Sequence, residues 1–466
     1  MKDASAFKAA RADAAMSARA ARTHTLLTAP IGPTLAKLAA PNVLAMLVQA
    51  AQSIAEAYFA SLLGVTVLAG LALVFPLVML TQMLAAGAMG GAISAAIARA
   101  LGGNSPERAA QLAITAWMIA AGFALFMALA IGAFGPLIFS ALGGGADAVR
   151  AAVSYAVIFF PGCAAIWLCH SSLSIIRGTG NMQMPSLLLL LVSLISIPLS
   201  GGFALGWGPL PAFGIAGLPM GLVVAYGLGA TVAVAYIIAG RTGLEFRWAY
   251  IRVKIGLVRD IMRVGAIASV NTLLTVLTIV LMVGMVGQYG EAALAGYGLG
   301  ARLEFLMIPV IFGIGAAMTA MVGANVGAGQ TERALQIAWV GSFSGAAIVG
   351  VIGVVLALFP DLWLGMFLDP SDAATLAAGR AYFNIVAPFY PFFGFGLALY
   401  FASQGAGEML WPLIGSLCRI GVAVGGAVLL SSATDLGVSG VFVAIAFAMF
   451  VYGLVIGIAT WRKRWS

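Results

Sequence analysis

The stretch LAAPNVLAMLVQAAQSIAEAYFASLLG, residues 38–64, decides the fold class. It is long and apolar enough to cross a bilayer, yet it carries one carboxylate, Glu56. At the centre of a spanning helix an acidic side chain costs roughly 2.5–3.5 kcal/mol, so it is kept where it faces a polar cavity or a partner. Asn42, Gln49, Gln52, Ser53 and Glu56 are spaced to share one stripe of a helix with about 3.6 residues per turn. In lipid that stripe turns inward, and the apolar side meets acyl chains.

Composition extends this reading to the whole chain. Of 466 residues, 62% are hydrophobic and only 8% charged, with a mean hydropathy of +1.08. A soluble domain carries about 25% charged residues, so the chain reads as an all-α polytopic membrane protein. Cys163, Cys169 and Cys418 lie in apolar segments without metal-ligand spacing, which implies neither a disulfide framework nor a zinc site. There is no P-loop, HExxH, GxSxG or Cys/His cluster, so no enzyme, cofactor or resident metal is expected. Residues 1–33 carry Lys2, Lys8, Arg11, Arg19 and Arg22 among alanines and lack a continuous apolar core. They read as a frayed or surface-lying tail rather than a cleaved signal.

Apolar runs mark twelve spans, at about 34–63, 67–98, 109–142, 148–176, 185–206, 214–239, 255–288, 293–325, 333–365, 374–402, 410–431 and 438–461. An even number puts both termini on one side. Nineteen of the 23 basic residues fall on that side, whereas the opposite loops hold Asp147, Glu291, Asp361, Asp369, Asp372 and Asp435. By the positive-inside rule both termini are cytoplasmic. The +8 net charge then reflects topology, and no nucleic-acid partner is implied.

The loop 240–254, GRTGLEFRWAYIRVK, divides the chain into a tail at 1–33, a bundle at 34–239, a second bundle at 255–461 and a short cytoplasmic C-terminus at 462–466. The bundles repeat one another. Tyr155, Pro161, Gly178, Gly180 and Pro185 recur as Tyr382, Pro388, Gly405, Gly407 and Pro412, each offset by 227. Ala69, Gly70, Gly102, Glu107, Arg108 and Ala109 recur as Ala295, Gly296, Gly327, Glu332, Arg333 and Ala334, at offsets of 225 or 226. Six spans per half give both halves the same orientation, hence two pseudo-symmetric six-helix bundles about an axis along the membrane normal, with a substrate cavity between them. Gly-rich stretches at 87–91 and 313–317 permit close helix approach.

Several motifs resemble the multidrug and toxic-compound extrusion (MATE) family of cation-coupled exporters. They are ARLEFLMIPVIFGIGAAMTAMVGANVGAGQTERA at 301–334, IIRGTGNMQMP at 175–185 and FGIAGLPMG at 213–221. The resemblance runs from about Ile31 to Arg462 and implies two bundles facing across a cleft in the bacterial cytoplasmic (inner) membrane. The family commonly carries an acid in the first span, and Glu56 in AEAYFASLLG stands in that place, with Glu for the usual Asp. A second family acid, in the fifth span, is missing: SLISIP puts Ser193 and Ile197 before Pro198.

These readings nominate Glu56 as a proton carrier, with Gln52 beside it and His170 in the fourth span as relay or partner; a neutral His170 bonded to a carbonyl is the alternative. Candidate cavity residues are Gln49, Ser53, Met79, Met83, Asn271, Thr275, Met282, Arg302 and Glu304. Arg302 and Glu304, toward the start of the eighth span, are two apart and do not share a helix face. With one well-placed carboxylate, H+ is the simplest coupling ion and Na+ the less favoured. The expected function is a cation-coupled antiporter exporting bulky organic cations or amphiphilic drugs, monomeric because the cavity is complete in one chain. The rival is a lipid-linked oligosaccharide flippase, which calls for several cavity cations where only Arg419 and Arg302 are on offer.

Overall fold

In lipid a backbone must satisfy its own hydrogen bonds, which favours helices in so apolar a chain. The computed structural model describes residues 2–141, 145–245, 250 and 254–462, with side chains from residue 13 onward, and it has no strand among them. Helix α1 (Lys2–Thr28) precedes twelve helices long and apolar enough to cross a membrane. The first bundle comprises α2 (Ile31–Leu62), α3 (Val65–Gly102), α4 (Pro106–Ala141), α5 (Ala146–Gly178), α6 (Gln183–Leu205) and α7 (Gly214–Ile238). The second comprises α8 (Ile255–Gly287), α9 (Glu291–Gly327), α10 (Thr331–Leu358), α11 (Ala373–Ala406), α12 (Leu410–Ala433) and α13 (Val438–Arg462). Within α3, Met83–Met89 is π-helical, a local widening that hydropathy does not reveal. Residues 246–249 and 251–253 of the inter-bundle loop, the C-terminal 463–466 and the side chains of Lys2, Lys8 and Arg11 lie outside the described residues.

Each bundle has its own apolar core. The first is built around Tyr155, Trp167 and Tyr226, the second around Tyr382, Phe383 and Phe442. The sequence repeat is a repeat of contacts. A Cβ on Gly70 of α3 would sit 2.5 Å from Ala151 Cβ of α5, and one on Gly296 of α9 would sit 2.9 Å from Ala378 Cβ of α11. Both members of the second contact stand at the repeat offset from the first, and in both only glycine lets the helices approach so closely.

The bundles meet on the side where the chain ends lie. There α3 and α9 cross: a Cβ on Gly102 would lie 2.0 Å from the Ala324 carbonyl oxygen, and one on Gly327 would lie 2.1 Å from that of Arg99. Residues 99 and 102 match 324 and 327 at an offset of 225, so the crossing is self-complementary about the pseudo-two-fold axis. Around it, Arg99 donates to the Gly405 carbonyl at 2.8 Å, and the Gln404 amide donates to the Gly87 and Ala88 carbonyls at 3.2 and 3.1 Å. Arg108 pairs with Asp260, and Gly313 packs on Val43. All these approaches fall in the half of each helix that lies toward the chain ends, the last half of α3, α9 and α11 and the first half of α2, α4 and α8, so the cleft is closed on that side.

Residues 2–28, expected as a frayed or surface-lying tail, are not frayed: they form a helix docked on the bundles. Arg19 Nη1 of α1 donates to the Gly243 carbonyl at 2.8 Å, and Asn325 Nδ2 of α9 donates to the Leu26 carbonyl at 3.0 Å. Arg333 donates to the Ala29 carbonyl just beyond α1. Leu26 is buried against Gly180, whose φ of +79° suits glycine. Burial lowers the pKa of Arg19. The segment thereby touches the first bundle, the inter-bundle loop and the second bundle at once.

Candidate functional site: two carboxylate–tyrosine pairs

The polar stripe of α2 faces the interior of the first bundle, and its members find partners on four different helices. Ser186 of α6 donates to Asn42 Oδ1 at 2.6 Å. Gln49 donates to Gln82 of α3 at 3.2 Å and to the Tyr226 hydroxyl of α7 at 2.9 Å. The Tyr155 hydroxyl of α5 donates to Glu56 Oε1 at 2.6 Å. The carboxylate is half-buried, six residues from the end of α2, or about 9 Å at 1.5 Å per residue. It therefore lies toward the side opposite the chain ends and off the helix centre.

The other nominated residues scatter. Gln52 is buried with its Oε1 unpartnered, while Ser53, Met79 and Met83 are half-buried in the same bundle. His170 is fully buried, neither ring nitrogen has a partner, and its ring centre lies 5.4 Å from that of Tyr226. The partner of Glu56 is thus Tyr155, and His170 adjoins the Gln49–Tyr226 pair instead.

The second bundle encloses a cavity of about 70 Å³ lined by Thr275, Met282, Tyr297, Glu304, Tyr382 and Arg419, among others. Tyr382 donates its hydroxyl to Glu304. A Cβ on Gly300, one turn before Glu304, would lie 2.1 Å from the Tyr382 ring, so glycine makes room for that tyrosine. Asn271, one turn from Thr275, accepts from Ser416 of α12, and the Thr275 hydroxyl donates back to the Asn271 carbonyl at 3.0 Å. Of the nominated pair on α9, Glu304 lines the cavity; Arg302 is exposed and does not, as two residues on a helix point apart. Arg419 stacks on Phe393 and Tyr452, its guanidinium carbon 5.7 and 5.4 Å from the ring centres.

Both tyrosines appear in the sequence only as repeat markers. Their bonding to acids is a tertiary fact, and the one available hint is that each polar group in a span needs a partner.

A family model described as MatE matches residues 41–200 and 267–429, more than half of the chain and one stretch in each bundle. The chain belongs to the MATE family. Its members are transporters rather than enzymes. Among curated relatives, a protein of Shewanella oneidensis named "FAD transporter" is 24% identical over 92% of this chain and 94% of its own. The Bacillus subtilis protein named "Probable multidrug resistance protein YoeA" is 27% identical over 86% of this MATE chain and 88% of its own. Two solved structures share the fold. One, of a MOP superfamily transporter from Pyrococcus furiosus, superposes with a TM-score of 0.87 at 23% identity, over 94% of this chain and 96% of that one. The other, titled as the outward-facing conformation of a multidrug resistance MATE family transporter, gives 0.86 at 22% identity over the same shares.

Proposed function

We propose that this MATE chain is a proton-coupled antiporter of the bacterial cytoplasmic membrane, with both termini cytoplasmic, that exports bulky organic cations or amphiphiles, and that Glu56 carries the proton. The observation that supports this reading most is the Tyr155–Glu56 bond, which ties α2 to α5 from a half-buried position toward the outer side. Ionised, Glu56 accepts from Tyr155; protonated, it becomes a donor itself, and the strong charge-assisted bond is exchanged for a weaker one. Proton loading thereby loosens one helix against another within the first bundle. The closed crossing of Gly102 and Gly327 corresponds to the state in which that proton arrives from outside.

A second reading, export of an anionic flavin-type metabolite, draws on the name of the Shewanella relative and on Arg419 in the cavity wall. The flippase reading, which calls for several cavity cations, loses further ground, since of the two arginines on offer only Arg419 lines the cavity.

The test is efflux of ethidium from everted vesicles under imposed pH or sodium gradients, comparing wild type with Glu56→Gln. A pH gradient drives transport and the substitution abolishes that dependence while the protein still inserts. Unaltered pH-driven transport by Glu56→Gln removes Glu56 as carrier. Transport driven by sodium alone removes the proton.

A further inference from the structure

The cavity of the second bundle carries two opposite charges that do not meet. Glu304 and Arg419 both line it, yet no ion pair joins them. Glu304 stands thirteen residues into α9, about 20 Å from its start, and Arg419 nine residues into α12, about 14 Å from its start, so both lie deep within their spans. Charges at that depth are costly and are kept where they serve a ligand or ion path. Each is only partly satisfied. Oε1 of Glu304 takes the Tyr382 hydroxyl. The Arg419 guanidinium has ring contacts with Phe393 and Tyr452 but donates to no acceptor among the described residues. Five N–H donors in a fixed fork are suited to a carboxylate.

The repeat shows that this arrangement is particular to the second bundle. The first-bundle counterparts of Glu304, Arg419 and Tyr297, taken at offsets of 226 and 227, are Val78, Val192 and Leu71, all buried and apolar. At about one water per 10–15 Å³ of such space, 70 Å³ admits roughly five to seven small groups, an amino-acid head group and the start of its side chain. Around the charges the walls are apolar, with Met282, Ile445 and Met449.

We propose that the cavity between Glu304 and Arg419 is a binding subsite for a compact zwitterionic group, an ammonium held by Glu304 and a carboxylate held by Arg419, with a short apolar chain against Met282 and Met449. A net-neutral dipolar ligand matches a net-neutral dipolar site. A lone cation leaves Arg419 unpaired, and a lone anion leaves Glu304 unpaired. The inference rests on the transport reading only in making this a substrate subsite; binding itself is independent of Glu56 and of any gradient.

The test is equilibrium binding to the full chain in lipid nanodiscs of three probes that share an isobutyl-type tail: L-leucine, isoamylamine and isocaproate. Leucine binds tighter than either analogue by about tenfold or more, the scale of one charge-assisted bond. Glu304→Gln weakens leucine to the level of isocaproate, and Arg419→Gln weakens it to the level of isoamylamine. Ala301→Leu, which fills the cavity beside Glu304 and keeps both charges, abolishes leucine binding with an unchanged unfolding temperature, and it carries the test if a charge variant fails to fold. Isoamylamine matching leucine makes this a plain cation site, isocaproate matching it a plain anion site, and equal or absent binding of all three no site of this kind. Each of these overturns the proposal. None bears on the pH dependence assigned to Glu56, which is read in vesicles with a different substrate.

Discussion

Tyr155 and Tyr382 occupy the same place in the two halves of the chain, and each donates its hydroxyl to a buried-side carboxylate. The acids they serve are not equivalent. Glu56 comes from the first helix of its bundle and Glu304 from the second; the counterpart of Glu56 is Met282 and that of Glu304 is Val78. The repeat has kept the tyrosine and the Gly70–Ala151 type of helix contact but placed the charge on different helices at different depths. A similar drift shows in the Asn–Ser bonds. Asn42 with Ser186 is matched by Asn271 with Ser416, three residues further along both helices than the offset places them. Duplication thus fixes backbone packing, where glycines leave no slack, and leaves the polar groups free to move by a turn or a helix.

That contrast breaks most sharply on the carboxylates. Glu56→Gln lowers the pH-driven component of efflux by more than about tenfold, whereas Glu304→Gln leaves the gradient dependence in place, each measured as initial rates in vesicles. Equal loss in both variants would mean that the two acids act as one coupled set. Next in size is the helix crossing. Gly327→Ala sets a methyl 2.1 Å from the Arg99 carbonyl, costs about 1–3 kcal/mol of overpacking and opens the chain-end side of the cleft. Spin-label distances between the bundles on that side lengthen relative to wild type, and unchanged distances would show that the crossing does not hold the closed state.

The tyrosines give a smaller effect that sharpens the comparison. Tyr155→Phe and Tyr382→Phe each lose one bond to a carboxylate and unfold with about 1.5–3 kcal/mol less stability. Similar losses in a denaturant series support equivalent roles, and a much larger loss for one assigns the heavier structural duty to its bundle. Smallest is Arg19→Gln, which removes one bond from α1 to Gly243 and costs under about 1.5 kcal/mol, read as faster proteolysis of residues 1–28.

The twelve spans and the duplication are legible in the sequence because hydropathy and glycine spacing are local signals of what lipid and close helix contact require. Glu56 is legible for the same reason, as an acid where lipid tolerates few. Its partner is not. Tyr155 lies 99 residues away, and no spacing rule connects two helices that meet through folding. His170 next to serines suggests a relay, but its placement against Tyr226 with no polar partner depends on how α5 and α7 rotate. The docked α1 escaped for a related reason: alanines and arginines look like a solvated tail until the carbonyls and side chains that receive them, hundreds of residues later, are in place.

That last distance sets an order of events in the cell. The Asn325 and Arg333 bonds to the Leu26 and Ala29 carbonyls span 299 and 304 residues. At about 5–20 residues per second of synthesis, α1 leaves the ribosome some 15–60 s before those partners exist. For that interval α1 has only its partners at Gly180 and Gly243 to rest on, and its docking is completed as a clasp once eight of the twelve spans have been made.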